Sequence, residues 1–253
     1  MVDALFEHPR LVAIYEPLHA DRDDLDAYVG IVDELGARSV LDVGCGTGTF
    51  ALRLADRGIE VVGLEPAAGS LAVARAKPGA DRVQWVHGDA TSLPPREVDL
   101  AIMTGNVSQA IANRPDWEAT LRRLHQALPP GGHLVLETRD PAFEGWKEWN
   151  RAESYRSTTI DGVGKVENWV DVTDIDRADP DSLLVSFRWT FVFASDGCTL
   201  TSDSTLRFRG RDEVEADLVA HGFAVDDVRD APDRPRREFV FIARRTEAED
   251  SAG

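Results

Sequence analysis

Val40-Leu41-Asp42-Val43-Gly44-Cys45-Gly46-Thr47-Gly48 is the stretch of sequence that decides the fold. A short apolar run, typical of a buried strand, leads directly into three glycines at alternate positions, and a helical pattern follows. Glycine permits positive φ angles and lets a ligand come close to the backbone. The helix offers free N–H groups and a positive dipole end to an anionic group. The stretch therefore predicts a strand, a ligand-binding loop and a helix.

The pattern of this unit repeats along the chain on its C-terminal side. Short apolar runs alternate with amphipathic stretches up to about residue 139, which is typical of an α/β fold with a parallel sheet. A helix preceding the first strand is predicted from about residue 25, and Gly36 ends it. The predicted strands are 39–43, 60–64, 83–87, 98–103 and 133–138.

The apolar pattern changes to period two from about residue 154 to residue 209. This predicts an antiparallel β meander of three or four strands, with turns at 161–162, 174–181 and 196–197. A helix (212–221) and two strands (223–228 and 238–243) follow, so the meander is an insertion into the α/β domain. The expected organisation is an N-terminal lid and first helix (1–36), a cofactor-binding α/β core (37–145), an inserted antiparallel lid (146–210), a return to the core (211–245) and a disordered tail (246–253).

Composition excludes several classes of function. The 28 Lys and Arg residues against 45 Asp and Glu residues give a net charge of −17, which disfavours binding to nucleic acid and to anionic membrane surfaces. Cys45 and Cys198 form neither a zinc set nor a disulfide framework, and no metal site is predicted. No signal peptide is visible and no apolar run approaches the ~18 residues of a membrane helix, so a cytoplasmic protein is expected.

Three acidic residues follow the first three predicted strands, at the sheet edge where open α/β proteins bind ligands. Asp42 precedes the glycines, where a carboxylate disfavours a pyrophosphate and suits a cationic ligand. Glu65, about 20 residues further on, can hold a ribose diol. Asp89 lies in Gly88-Asp89-Ala90, and its alternative role is to cap a turn.

Together with Leu128-Pro129-Pro130-Gly131-Gly132, these motifs resemble those of class I S-adenosylmethionine-dependent methyltransferases over about residues 36–140, and by pattern alone over 211–245. The resemblance implies a Rossmann-like, mostly parallel sheet of seven strands with helices on both faces, the last strand being antiparallel. It also implies S-adenosylmethionine as the cofactor. Asp42 and the loop would hold the methionine end of the cofactor, and Glu65 would bind its ribose. Pro66 would cover one face of the adenine. Asp89 would accept a hydrogen bond from the adenine amine, with Ala90 at the adenine edge. The loop residues concerned are Gly44, Cys45, Gly46 and Gly48.

Methyl transfer is a direct displacement that needs in-line positioning and sometimes a base, and the family shares no single set of catalytic side chains. Four residues are therefore only candidates. Asn106, after Gly105 at the end of the fourth strand, would contact the donor or the acceptor, or would cap the next helix. Tyr15 resembles a residue that covers the cofactor in relatives, and His19 is a base or a surface residue. Arg139 leaves the fifth strand where it can point at a substrate.

The inserted strands resemble the arrangement in glycine and nucleotide-sugar N-methyltransferases, which implies a small-molecule acceptor. Methylation on oxygen or nitrogen is favoured, and sulfur and carbon stay open as acceptor atoms. Two other functions stay open. Gly46-x-Gly48-x-x-Ala51 fits the dinucleotide fingerprint of an NAD(P)-dependent oxidoreductase, although Asp42 disfavours it. A non-catalytic module that binds adenosylmethionine is the other. An exposed edge of the inserted strands could pair in a homodimer.

Overall fold

The glycine-bearing stretch lies at the end of a central strand in a computed structural model that describes residues 2–93, 96–179 and 182–247. Twenty helices and strands are assigned in these residues, apart from short 3₁₀ turns. The helices are α1 (Ala4–Glu7), α2 (Pro9–Leu18), α3 (Asp24–Glu34), α4 (Thr49–Asp56), α5 (Ala68–Ala76), α6 (Val107–Ala110), α7 (Arg114–Ala127), α8 (Arg151–Ser154) and α9 (Arg211–Ala220). The strands are β1 (Ser39–Val43), β2 (Glu60–Glu65), β3 (Val83–His87), β4 (Leu100–Met103), β5 (His133–Arg139), β6 (Arg156–Ile160), β7 (Gly164–Asp179), β8 (Ser182–Phe193), β9 (Thr199–Phe208), β10 (Phe223–Asp230) and β11 (Glu238–Arg245).

Seven strands form the main sheet, in the order β10-β11-β5-β4-β1-β2-β3. The strands from β1 to β5 pair in parallel, and β11 pairs antiparallel to both β5 and β10. Since the strand order reverses at β1, the loops that follow β1 and β4 diverge and open a crevice at the carboxyl edge of the sheet. The predicted α/β fold, with its antiparallel last strand, is confirmed.

Alternate residues of the central strand supply the two cores that hold the sheet between its helices. Val40 packs with residues of α3 and α4 on one face, and Leu41 packs with α7 and α9 on the other. Both side chains are fully buried, as expected of a strand covered on both faces. Asp42 follows on the Val40 face, so its carboxylate points into the protein under the glycine loop.

The remaining four strands form a separate antiparallel sheet in the order β6-β7-β8-β9, inserted between β5 and α9. Phe191 and Phe193 pack its inner face against α1 and α2, while Phe208 packs against Trp146. The predicted turns at Asp161-Gly162 and Asp196-Gly197 are confirmed, since each glycine has a positive φ between two paired strands.

The predicted turn over 174–181 is wrong for most of its length. Strand β7 continues to Asp179, and Asp174 and Asp176 pair with Ser186 and Leu184 of β8. Pairing with the long β8 overrides the turn preference of aspartate, because both carboxylates remain exposed on a paired strand. Residues 180–181 lie outside the described residues, as does the predicted disordered tail from residue 248 onward.

None of the helices in the described part of the chain is both long and apolar enough to cross a membrane.

Candidate active site

Glycine is required at the different positions of the loop for different physical reasons. A Cβ at Gly44, where φ is +71°, would lie 2.5 Å from the Val107 side chain. A Cβ at Gly48 would lie 2.6 Å from the Trp85 ring. A Cβ at Gly46 or at Gly105 would meet no atom within 4 Å. The outer glycines thus allow close packing within the protein, whereas Gly46 and Gly105 leave open space beside the loop.

Two buried carboxylates lie beneath this space. Asp42 is 1% exposed; its side chain accepts a hydrogen bond from the Ala51 N–H, but its Oδ2 atom has no partner among the described residues. Burial, reinforced by the nearby Glu65, raises the pKa of Asp42 to about 7. Glu65 accepts hydrogen bonds of 2.8 Å from the N–H groups of Gly46 and Ala67, and burial raises its pKa. A cation placed above them would offset their repulsion.

The remaining residues predicted for the cofactor have mixed positions. Pro66 is exposed at the end of β2, and Ala90 is buried. The Asp89 carboxylate accepts hydrogen bonds from the Thr91 and Ser92 N–H groups at 2.9 and 3.2 Å, so it caps the turn that follows β3. Cys45 is buried, and burial raises the pKa of its thiol.

The N-terminal helix α2 covers the glycine loop. Glu16 of this helix accepts hydrogen bonds from the Thr47 and Thr49 hydroxyls at 2.5 and 2.8 Å, and Lys77 of the α5 C-terminus pairs with the same carboxylate. One side chain therefore connects α2, the loop and α5. Sequence reasoning singled out the neighbouring Tyr15 and missed Glu16, whose signal was an acid on a helix otherwise packed by apolar residues.

Tyr15 and His19 lie one helical turn apart at the end of α2. Their rings are 4.8 Å apart, and the His19 Nδ1 atom is 2.8 Å from the Tyr15 carbonyl oxygen. Burial raises the pKa of Tyr15, on which the charges of Arg22 and Glu65 also act. Tyr15 thus contacts His19 and lies within electrostatic range of Glu65. A hydrogen on Nδ1 that is donated to the carbonyl leaves the Nε2 lone pair of His19 free.

Arg22, between α2 and α3, is a charged residue that sequence reasoning missed. Its guanidinium forms two hydrogen bonds with Asp24, of 2.9 and 3.1 Å. Its positive charge opposes the effect of burial on the pKa of Asp42. Arg22 therefore places a cation within electrostatic range of the buried acid under the loop.

A polar network occupies the other side of the crevice. The Asn106 N–H donates to Glu137 at 2.7 Å, its Nδ2 donates to Glu238 at 3.2 Å, and its Oδ1 atom is buried without a partner in the described part of the chain. The Asn106 side chain makes no capping hydrogen bond to α6, so the alternative that it caps this helix is wrong. The hydroxyl of Tyr28 donates to the second oxygen of Glu137.

The two acids of this network are diagonal neighbours on the paired strands β5 and β11, since Glu238 lies opposite Arg139, two residues from Glu137. Burial, with a contribution from Glu238, raises the pKa of Glu137 to about 7. Arg139 lies 3.4 Å from Glu238 and donates to Gln109 at 3.1 Å, and burial lowers its pKa. Arg139 is therefore engaged by protein groups, although its guanidinium also lies 5.6 Å from the ring centre of Trp149.

A cavity of about 730 Å³ lies between the C-terminal end of α2 and the inner face of the antiparallel sheet. His19 lines it, as does Trp149, whereas the other tryptophan of that segment, Trp146, is buried in the core. The rest of the lining consists of Leu18, Glu148, Glu153, Ser154, Arg156, Ser157, Thr158, Asn168, Val170 and Trp189. Tyr15 does not line the cavity, but its ring contacts that of His19, and the charge of Glu65 acts on its pKa.

Within residues 2–93, 96–179 and 182–247, no group of three or more His, Cys, Asp and Glu side chains is arranged to hold a metal ion. The arrangement comprises instead a crevice with buried acids and a separate, mostly polar cavity whose His19 contacts Tyr15.

Comparison with known proteins identifies the core. Residues 40–132 match the family described as a methyltransferase domain. A demethylmenaquinone methyltransferase of Lactococcus lactis is 25% identical over 177 residues, which are 62% of this chain and 69% of that protein. The chain spans about half the length of the Listeria demethylmenaquinone methyltransferases that it also matches.

Solved structures share the whole architecture. A methyltransferase from Clostridium acetobutylicum, described as S-adenosylmethionine-dependent, has a TM-score of 0.73 at 16% identity, covering 94% of this chain and 98% of that one. The amino pentose methyltransferase CalS10 from Micromonospora echinaspora, solved with S-adenosylmethionine bound, has a TM-score of 0.66 at 24% identity, covering 92% and 97%. At these identities the likeness concerns the fold. Together with the domain match, it confirms the resemblance seen in the sequence.

Proposed function

We propose that this chain, a class I S-adenosylmethionine-dependent methyltransferase, transfers a methyl group to nitrogen or oxygen of a small molecule bound in the cavity between α2 and the antiparallel sheet. The observation that carries the proposal is the lining of this cavity, in which His19 lies with its ring 4.8 Å from that of Tyr15, a residue within electrostatic range of Glu65. The cavity volume of about 730 Å³ suits a small molecule. Neighbours of the same architecture include a sugar N-methyltransferase and an amino pentose methyltransferase.

The residues of the crevice fit the cofactor. The unpartnered Oδ2 of buried Asp42 would receive the ammonium of its methionine end, and Arg22 would hold the carboxylate of the same end. Glu65 would accept hydrogen bonds from the ribose hydroxyls, and Gly46 leaves room for the ligand beside the loop. Asp89 keeps an exposed carboxylate at the edge where the adenine amine is expected. These assignments support a cationic, ribose-bearing ligand over a pyrophosphate.

The cofactor supplies an electrophilic methyl group on a sulfonium, so the protein contributes position and a dry environment. Hydrogen bonds from the loop and α5 to Glu16 hold α2 over the crevice, and Tyr15 closes it toward the cavity. In-line positioning alone can supply several kcal/mol, and up to ~7–11 kcal/mol in well-oriented model reactions. The chain's main task is therefore to fix the acceptor atom opposite the methyl group.

His19 is the residue that we assign to proton removal. Its ring lines the cavity, and with Nδ1 bound to the Tyr15 carbonyl, Nε2 is available to accept a proton. The acceptor N–H or O–H would give its proton to Nε2 as the acceptor atom bonds to the methyl carbon and the bond from that carbon to the sulfonium sulfur breaks. Asn106 and Arg139 would then orient groups through the network around Glu137 and Glu238.

Two measurements test the proposal. In calorimetry, the chain should bind S-adenosylmethionine and show no binding of NAD⁺. In the presence of the donor and a panel of phenols, primary amines and amino alcohols, mass spectrometry should detect S-adenosylhomocysteine and a product heavier by one CH₂, whose fragments assign nitrogen or oxygen. Binding of NAD⁺ alone would contradict the proposal. Tight donor binding with no transfer to any panel member would favour a non-catalytic module.

A further inference from the structure

On strand β7, one polar side chain interrupts the apolar inner face. On β7, Val166 and Val170 point inward and are 0% and 4% exposed. Asn168 lies between them with the same orientation, since side chains two residues apart share a face of a strand. It is 7% exposed. A third aliphatic side chain would complete the face, so the amide is an exception to the pattern.

The amide of Asn168 is also unsatisfied. Its Oδ1 atom is buried and has no hydrogen-bond donor in the described part of the chain. Leaving a buried polar group unpaired is destabilising. Such a group in a native structure requires an explanation, and a binding partner absent from the protein alone is one.

The position of Asn168 identifies that partner. Its side chain lines the cavity, which divides the inner face of the sheet into two apolar clusters. One cluster joins β7 and β8 to α1 and α2, and the other joins them to Trp146 and Trp149. The amide thus faces space at the gap between two well-packed regions.

The other walls of this cavity restrict the chemistry of a ligand. Trp149 and Trp189 offer ring surfaces that pack against the apolar face of a small ring compound. Glu148 pairs with Arg237 at 3.4 Å, whereas Glu153 has an exposed carboxylate at the rim. Acidic groups and an unpaired carbonyl oxygen favour a ligand that donates hydrogen bonds.

We propose that Asn168 is a specificity-determining residue whose Oδ1 accepts a hydrogen bond from an N–H or O–H group of the acceptor. This inference rests on the proposed function, because the cavity must hold the acceptor. The acceptor class is a small compound with an apolar ring face that bears amino or hydroxyl groups. A site built to hydrogen-bond such a group rejects analogues that lack it, because the protein group then stays unpaired.

The test compares Asn168→Val with Thr190→Val, a control that makes a similar polar-to-apolar change on the opposite face of the same sheet. Binding of trans-2-aminocyclohexanol and of tetrahydropyran, a ring without donors, is followed by saturation-transfer NMR on protein saturated with S-adenosylhomocysteine. The wild type and Thr190→Val should bind the amino alcohol, and Asn168→Val should bind it at least tenfold more weakly. Tetrahydropyran should bind weakly to all three.

Thermal unfolding separates recognition from a structural role. Asn168→Val should unfold at the same temperature as the wild type or above it, because the substitution removes an unpaired buried amide. A clearly lower unfolding temperature, or equal affinity of Asn168→Val and wild type for the amino alcohol, would overturn the role of Asn168. Wild type that binds S-adenosylhomocysteine but not the amino alcohol would overturn the acceptor class. Failure to bind S-adenosylhomocysteine would contradict the proposed function itself.

Discussion

The Glu16 carboxylate accepts a 2.8 Å hydrogen bond from the Thr49 hydroxyl, which connects the N-terminal helix to the first turn of α4. The two residues are 33 positions apart, and Glu16 also accepts a hydrogen bond from Thr47 within the glycine loop. Because the loop passes beneath Glu16, the N-terminal helix is held in place by the same segment that it covers.

Replacing Glu16 should release α2. In Glu16→Ala, limited proteolysis should cut residues 1–20 at least fivefold faster than in the wild type, because Thr47, Thr49 and Lys77 lose their shared partner. Unfolding of the core in urea should change by only about 1 kcal/mol, since the pair is partly exposed. Asp26→Ala, which removes the exposed partner of Arg53, is the matched control. Equal cleavage rates in the two variants would mean that Glu16 does not hold the helix.

Affinity for S-adenosylmethionine should depend on pH through Asp42. Burial and the nearby Glu65 raise the pKa of Asp42 to about 7, and a bound cation favours the charged carboxylate. Binding should therefore be strongest above pH 7 and weaken as the pH falls below 7, by up to about tenfold per pH unit. Calorimetry between pH 6 and 8.5 measures this. Asp42→Asn should bind more weakly and lose this dependence, and 5′-methylthioadenosine, which lacks the methionine end, should show none. The same pH slope for both ligands would exclude Asp42 from that end.

Ribose recognition should fail in Glu65→Gln. One carboxylate oxygen becomes an NH₂ group, so the affinity for adenosine should fall by ~1.5–3 kcal/mol, the range for hydrogen bonds to a charged group. In calorimetry, wild type should prefer adenosine to 2′-deoxyadenosine, and the variant should bind both alike. Glu60→Gln, at the exposed start of the same strand, should behave as wild type. A variant that still discriminates the two nucleosides would remove Glu65 from this role.

The reaction rate should depend on His19. The imidazole accepts the proton of the acceptor in the proposed step, so His19→Gln should lower the saturated rate with an accepted panel compound by about 10²–10⁴-fold, with unchanged donor affinity. His133→Gln, at the opposite edge of the sheet, is the control. An unchanged saturated rate in His19→Gln would show that another group takes the proton.

Stability should vary with pH through Glu137. Burial raises its pKa to about 7, so the native protein holds a proton that the unfolded chain has already released between about pH 4.5 and 7. The free energy of unfolding should therefore decrease as pH rises through this range, by up to ~3 kcal/mol. Glu137→Gln mimics the protonated side chain, since its oxygen accepts from Asn106 and its NH₂ can donate to Tyr28.

Urea unfolding at pH 5, 6, 7 and 8 measures this dependence. The free energy of unfolding of Glu137→Gln should vary less with pH than that of the wild type. Glu97→Gln, which replaces an exposed acid, should follow the wild-type curve. Asp42 also has a raised pKa, so the free energy of unfolding of Glu137→Gln should still decrease somewhat as the pH rises. Parallel curves for wild type and Glu137→Gln would show that Glu137 does not titrate as its burial implies.

The core strands could be predicted because local sequence determines them. Strand β1 has the predicted bounds, Ser39–Val43, as the apolar run ends directly at the glycines. Strand β7 could not be delimited in this way, because pairing of Asp174 and Asp176 with β8 decides its length. The local sequence around the aspartates does not reveal that a long strand is available to pair with them.

Residues of the candidate site could be predicted from the sequence only where they belong to a recognisable motif. Asp42 and Glu65 lie together under the loop, as their places after neighbouring strands imply. The proximity of Glu137 to Glu238 depends on an antiparallel pairing across 100 residues of chain, which no local pattern reveals. Asn168 did leave a signal, since it is the polar exception in an alternating apolar run.

All twelve lining residues of the cavity come from outside the seven-stranded sheet, from α2 and from the chain between residues 148 and 189. The residues that we assign to the donor come mainly from the loops that follow β1 to β4. Ten of the twelve lie in one contiguous stretch, residues 148–189, which recombination could exchange as a block. A lineage that swapped this stretch would acquire a new product while inheriting its donor chemistry intact.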